Sequence, residues 1–316
     1  MMTRLKLPKG SVQAIGSCLL YSTLSLSTTL TNKSLLTMYS FSYPFALLYW
    51  QYIVTAVLVV LAKLLGIISY PWPQMETVAR WLPLNMLFCL MLVTNTYALR
   101  YISIPMVTVI KAVSTVMTGL GDNLIFGQKM TPGIATSMVI MVISSFVAGA
   151  NDLDYNALGY FWAGLNAVST TAYVLYMRKV LSSNKVSEFT AVFLNNTLAL
   201  PLLFPLLVIR GEFASAFNYF AEGVDTAPAG FSVMFVLNGL SGFALSLASF
   251  VCVKTTSPTT YSMVGSLNKI PLTFIGWVLF GASFTTLGVL SILISLAGGV
   301  LYTYCKSVQK RNSQPK

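Results

Sequence analysis

Ten stretches of about twenty mostly apolar residues follow one another along this chain with little between them. They run over roughly 11–31, 44–66, 81–101, 104–126, 131–150, 157–177, 187–209, 229–252, 258–280 and 285–305. An α-helix needs about 20 such residues to cross the hydrocarbon of a bilayer, where every backbone polar group must bond within the protein. The pattern predicts an all-α polytopic membrane protein with ten transmembrane helices and one domain over residues 1–316. Only 9% of residues are charged, against about 25% in soluble domains. The longest soluble-looking stretch, 210–228, is too short for a further domain. The first apolar stretch keeps Ser, Thr and Asn throughout and lacks a small-residue cleavage site, so it is expected to be a retained helix.

The formal charge of +11 reads as topology rather than as a nucleic-acid surface. With the N-terminus in the cytosol, Arg4, Lys6, Lys9, Arg80, Lys129, Arg178, Lys179, Lys185, Lys254, Lys306, Lys310, Arg311 and Lys316 fall on the cytosolic side. Lys33, Arg100 and Arg210 fall opposite, with Asp152, Asp154, Glu212, Glu222 and Asp225 in the far loops. This is the positive-inside pattern, and an even number of spans returns the C-terminus to the cytosol. The basic tail 306–316 reads as a topogenic and lipid-headgroup anchor. No basic patch stands on a folded soluble surface, so a nucleic-acid role is not expected.

Cys18, Cys89, Cys252 and Cys305 are scattered without metal spacing, and the chain has no histidine. No metal, cofactor or enzymatic chemistry is therefore expected; the cysteines read as small buried hydrophobes. Glu188 and Asp122 lie at span ends, leaving no central carboxylate for proton coupling.

Two cations stand where the chain should be apolar. Lys111 and Lys269 lie inside the fourth and ninth stretches. An ammonium at mid-bilayer costs about 2.5–3.5 kcal/mol on insertion scales, so such residues are rare and mark functional sites. No carboxylate lies in the core of either stretch to neutralise them. Together they would balance a charge near minus two, as on a nucleoside diphosphate sugar, and the pair predicts a transporter of an anionic solute.

Cutting near residue 155 leaves five stretches on each side. An odd number per half forces opposite orientations, the inverted-repeat plan of many secondary transporters, in which substrate binds near the midplane where the repeats meet. The expected repeats cover about 11–150 and 157–305. The run 125–131 resembles 279–285, each follows the fourth stretch of its half, and that stretch carries the lysine in both.

Around Lys269 the chain packs Gly265, Ser266 and Asn268 ahead of Pro271. Small residues permit close approach to the backbone, and the proline removes an amide donor, loosening the turn before it. In the seventh stretch, Asn195 and Asn196 place adjacent carboxamides in a membrane helix, with Ser246 in the eighth as a further polar group. Their donors and acceptors match guanine; helix-to-helix hydrogen bonding is the alternative for the same residues. Tyr21 and Tyr261 suit stacking or hydrogen bonding to ribose, base or sugar, and equally suit packing.

The runs Phe193-Leu194-Asn195-Asn196 and Gly265-Ser266-Leu267-Asn268-Lys269 together resemble the paired signature of the GDP-mannose transporter family, nucleotide-sugar transporters of the drug/metabolite transporter superfamily. Similarity extends over Thr31-Asn32-Lys33, Trp81-Leu82-Pro83, the Lys111 stretch, Gly121-Asp122 and Tyr173 to Met177. The Ser266 variant and the lead-in at 255–260 look most like the protozoal branch that accepts several GDP-sugars. Leu194 stands where the family has Tyr, and Ala112 follows Lys111 where it usually has Asn.

The resemblance implies a Golgi antiporter that exchanges GDP-mannose, or GDP-fucose or GDP-arabinose, for GMP. It assigns the base to Asn195, Asn196 and Ser246, and ribose, phosphate or sugar to Tyr21, Tyr261, Gly265, Ser266 and Lys269, with Lys111 assisting. Partners are then the GDP-sugar, GMP and membrane lipids; a homodimer is an additional expectation, with Gly281 and Gly288 as small-residue surfaces. The alternative is a carrier of another phosphorylated anion, a UDP-sugar or a triose phosphate. A lipid-linked glycosyltransferase would want an intramembrane acid pair for its metal, which the sequence lacks.

Overall fold

The structure is a computed structural model that describes residues 9–39, 41–101, 104–149, 156–183, 186–221, 230–268, 271, 275 and 286–312; at some of these, 104–112 among them, only the backbone is described. Eleven helices and no strand occur among the described residues. In chain order they are α1 (Lys9–Thr37), α2 (Pro44–Leu64), α3 (Met75–Tyr101), α4 (Ile104–Phe126), α5 (Pro132–Gly149), α6 (Ala157–Ser183), α7 (Glu188–Ile209), α8 (Glu212–Ala221), α9 (Phe231–Thr255), α10 (Pro258–Leu267) and α11 (Thr286–Asn312). Four are long and apolar enough to cross a membrane: α2, Met75–Ala98 of α3, α7 and α9.

Helix ends fall where side chains and glycines stop the pattern. Pro44 opens α2 and Pro258 opens α10, positions where a missing amide hydrogen leaves nothing unmade. Ser187 and Ser257 cap α7 and α10 by accepting from the amides of Thr190 and Thr260. Gly211, with φ +70°, turns the chain sharply between α7 and α8, a backbone shape that side chains disfavour.

The first eight predicted stretches and the tenth each contain one helix, with α1, α3, α6 and α11 running longer than the apolar pattern. The ninth, expected over 258–280, is α10 through Leu267 with Asn268 as its C-cap; its remainder lies largely outside the described residues, as does Gly281, while Gly288 has only its backbone described. α10 stops four residues before Pro271, the position whose missing amide would have bonded to the Leu267 carbonyl. α8 lies outside all ten apolar stretches.

The chain divides into two compact units that are not its two sequence halves. The first holds residues 1–89 and 179–256, the second 90–178 and 257–316. In the first unit α1 packs along α9, and α2 packs against both α7 and α9. Glycines let α2 approach closely. A Cβ at Gly239 would lie 2.8 Å from Val54 Cγ2, and one at Gly242 would lie 2.9 Å from Gln51 Cβ. At that crossing the buried Gln51 donates to Asn32 Oδ1 at 2.8 Å and to Asn238 Oδ1 at 2.9 Å. Asn238 in turn donates to Asn32 and to Thr31. Trp50 Nε1 donates to the Phe235 carbonyl at 2.9 Å. Nearer the other end of the same helices, Ser17 bonds Thr255 at 2.7 Å and the free thiols of Cys18 and Cys252 stand 3.9 Å apart.

The short α8 docks on the first unit through Tyr219, whose ring is 5.3 Å from Phe41 and 5.4 Å from Phe231. Its first residue, Glu212, accepts from the amides of Phe45 and Ala46 at 2.7 and 3.0 Å, meeting two of the donors that the start of α2 leaves open.

In the second unit α5 packs against α4 and α11, and α4 against α10, around Ile134, Met138, Met141, Met263 and Tyr302. Ser144 Oγ donates to the Ser291 carbonyl at 2.6 Å. α6 holds the second part of α3 through Asn166, whose Nδ2 donates to the Met91 carbonyl at 2.7 Å and to Thr94 at 3.1 Å.

Two predictions follow from this packing. Gly242→Leu should lower the melting temperature in detergent by forcing α2 and α9 apart, an overpacking cost of about 1–3 kcal/mol. Gly164→Ala, where a Cβ meets nothing within 4 Å, should not. The second concerns pH. Burial raises the Glu212 carboxyl above its ordinary value of 4.5, the amide bonds and Arg210 pulling against it. The folded state then holds this proton more tightly than the unfolded chain, so stability from this group falls as pH rises from about 4.5 through the raised value. Glu212→Gln, which keeps an acceptor, should flatten that part of the melting-temperature profile; a profile identical to wild type would remove Glu212 as its source.

Candidate functional site

The carboxamide pair predicted from sequence sits in the first unit on α7. Asn195 and Asn196 are 5% and 1% exposed. Asn196 Nδ2 donates back to the Val192 carbonyl at 2.7 Å and across to Ser246 Oγ on α9 at 2.9 Å. Asn195 Oδ1 and Thr197 Oγ1 are buried and have no hydrogen-bond partner among the described residues. One turn further along, Pro201 supplies no amide to the Thr197 carbonyl, so α7 is weakened beside the pair. The start of α7 is fixed by the Ser187 cap and by an ion pair of Glu188 with Lys254 of α9, 2.8 Å long. Tyr21 of α1 is buried in the same unit.

The second predicted cluster is in the other unit, on α10. Ser266 Oγ bonds Thr115 Oγ1 of α4 at 2.8 Å. Tyr261 lies close enough to the buried Tyr173 of α6 to interact with it electrostatically. Gly265 is half-buried in the last turn, and Asn268 is buried at the C-cap. Lys111 belongs to α4, but its side chain lies outside the description, as does the whole of Lys269.

α10 is held at its start by an acid that lies at the end of a predicted span. Asp122 of α4 is 1% exposed. Its Oδ2 accepts from Thr259 Oγ1 at 2.6 Å and from the Thr259 amide at 3.4 Å, at the positive end of α10. Lys306 of α11 is near enough to this carboxylate to interact with it electrostatically, and Thr260 bonds Tyr302 at 2.9 Å. The run of glycine, serine and asparagine at the end of α10 is thereby anchored about two turns upstream. Sequence could not assign this role, because the partner of Asp122 is 137 residues away.

The profile of the Triose-phosphate Transporter family matches residues 12–303. The chain belongs to that family. Among individual relatives, GDP-mannose transporter GONST1 of Arabidopsis thaliana is 35% identical over 94% of this chain and 90% of its own length. A GDP-mannose transporter of Scheffersomyces stipitis is 34% identical over 93% of this chain and 92% of its own. One of Eremothecium gossypii is 31% identical over 99% of both. A solved crystal structure at 15% identity covers 96% of this chain and 99% of its own with a TM-score of 0.62, a likeness of fold. As a member of the Triose-phosphate Transporter family the protein is a multi-pass membrane transporter and not an enzyme.

Asp122→Ala should lower the melting temperature of this transporter by removing charge-assisted bonds of about 1.5–3 kcal/mol. Asp122→Asn keeps an acceptor for Thr259 and should lose less. Equal melting temperatures for the alanine variant and wild type would release α10 from this anchor.

Proposed function

We propose that the protein is a GDP-sugar antiporter of the Golgi membrane that carries GDP-mannose from the cytosol into the lumen in exchange for GMP, by alternating access. The observation that carries this reading is Asn195 Oδ1, a buried acceptor with no partner among the described residues, beside an Asn196 already bonded to Ser246. A buried polar atom left unmade costs about 1–3 kcal/mol. Guanine offers N1–H and N2–H donors that would satisfy it. The relatives, at 31–35% identity over nearly the whole chain, are named GDP-mannose transporters, which supports the same base and sugar. GDP-fucose and GDP-arabinose stay within the proposal.

In this reading Asn195, Asn196 and Ser246 take the base. Tyr21, Tyr261, Gly265, Ser266, Asn268 and Lys269 take ribose, phosphate or sugar, with Lys111 assisting as a second cation. Ten spans form two inverted repeats with both termini cytosolic. The packing of α2 on α7, α4 on α10 and α5 on α11 supports the repeat, because each pair occupies the same place in its half of the chain. The family's description favours one competing reading, a smaller phosphorylated anion such as a triose phosphate.

The test is exchange of radiolabelled GMP into proteoliposomes preloaded with GMP, competed by GDP-, UDP- and CMP-sugars and by triose phosphate. GDP-mannose should compete and UDP-sugars should not. Asn195→Ala should raise the KM for GMP about tenfold, equivalent to ~1.4 kcal/mol, and blunt the preference for guanine. Competition indifferent to the base would refute the guanine assignment and leave a general anion carrier.

A further inference from the structure

Lys63 closes the last turn of α2. The segment after the helix, which includes Tyr70-Pro71-Trp72-Pro73, folds back so that two rings cover the ammonium. Lys63 Nζ lies 3.7 Å from the centroid of Trp72 and 4.2 Å from that of Tyr70. Phe193 of α7 completes the wall, its ring 6.0 Å from Tyr70 and 5.8 Å from Trp72. All four residues belong to the first unit.

Aromatic faces attract a cation through the ring quadrupole but accept no ordinary N–H bond. Lys63 Nζ is buried and without a hydrogen-bond partner among the described residues, and so is the hydroxyl oxygen of Tyr70. Burial raises the Tyr70 hydroxyl above its ordinary pKa, so it keeps its proton and remains a donor. An ammonium has three donors and no acceptor. The cluster therefore presents the three ammonium donors and the hydroxyl donor, with no charged acceptor of its own. A lysine acting only as an interfacial anchor would extend its ammonium to water along the helix end; this one is folded under Trp72 instead. What the cluster lacks is an oxyanion.

We propose that Lys63 and Tyr70, walled by Trp72 and Phe193, form a second anion site that takes a phosphoryl oxygen. Phe193 opens the run that ends in Asn196, three residues on and on the same helix face. Phe193, a wall of the site, thus lies about one helical turn, ~5 Å along α7, from Asn196, on the end that the charge pattern puts in the cytosol. Its bearer is the diphosphate of an arriving nucleotide sugar or the phosphate of an anionic lipid headgroup; only the first identification rests on the nucleotide-sugar reading. Unliganded, the rings hold the ammonium in place without the carboxylate that would otherwise compete with the ligand.

Inorganic pyrophosphate is the probe that needs no substrate assignment. Its apparent Kd for the purified full chain is read from the rise of the melting temperature with concentration. Lys63→Gln should weaken pyrophosphate about tenfold, and Lys63→Arg should keep it within about twofold, since the charge and donors remain. Tyr70→Phe keeps the ring, loses only the hydroxyl, and should weaken pyrophosphate about threefold; it carries the test if Lys63→Gln does not fold. Wild-type affinity in both Lys63→Gln and Tyr70→Phe overturns the site. GMP-for-GDP-mannose exchange in phosphatidylcholine vesicles, with and without phosphatidylserine, then identifies the bearer. A KM raised by Lys63→Gln in both lipids assigns the nucleotide. An unchanged KM, with a phosphatidylserine effect present in wild type and lost in the variant, assigns the headgroup. If wild type fails to exchange GDP-mannose while pyrophosphate still separates wild type from Lys63→Gln, the GDP-mannose reading falls and the anion site stands.

Discussion

A polar atom carried into hydrocarbon has to be met by another part of the protein, and this requirement organises both units. Gln51, Asn32 and Asn238 meet one another at the crossing of α1, α2 and α9. Asn166 meets the backbone of α3, Ser144 that of α11, and Asp122 the start of α10. Each bond joins residues on different helices, so it fixes register as well as satisfying a group. Glycines make the distances reachable: without Gly239 and Gly242 the α2 backbone would stand too far from α9 for the carboxamides to meet. Where such matching is complete it is structural. Asn195 Oδ1, Lys63 Nζ and the Tyr70 hydroxyl are among the buried groups that the described residues leave unmatched, and these a ligand can complete.

The helices were largely legible because the signal for each is local. Twenty apolar residues require a helix whatever surrounds them, and Pro44, Ser187, Ser257 and Pro258 mark ends through their own chemistry. α8 escaped for the complementary reason. It is ten residues long, and what holds it is tertiary: Tyr219 against Phe41 and Phe231, and Glu212 on the amides of α2. The division into units was also hidden, because it depends on which helices touch rather than on where apolar runs begin and end.

The candidate site divides in the same manner. Asn195, Asn196 and Ser266 stand out because carboxamides and small residues are unusual in a span. That Ser246 is the partner of Asn196, and Thr115 that of Ser266, comes only from packing. Lys63 gave no signal, since a lysine in the last turn of a helix is ordinary. Its distinction comes from Trp72 and Tyr70 folding back over it, and a one-dimensional reading cannot see a side chain change from solvated to covered.

The interleaving of the units bears on how the chain is made. The first unit needs residues 1–89 and 179–256, so α1 and α2 are synthesised well before α7 and α9. At about 5–20 residues per second, the intervening segment 90–178 takes roughly 5–20 s to emerge. Throughout that interval Gln51 has Asn32 within its half of the chain but not Asn238, and the groove that Gly239 and Gly242 will fill is lined by lipid or by the insertion machinery. The nascent chain thus passes through a stage in which this carboxamide crossing is half built.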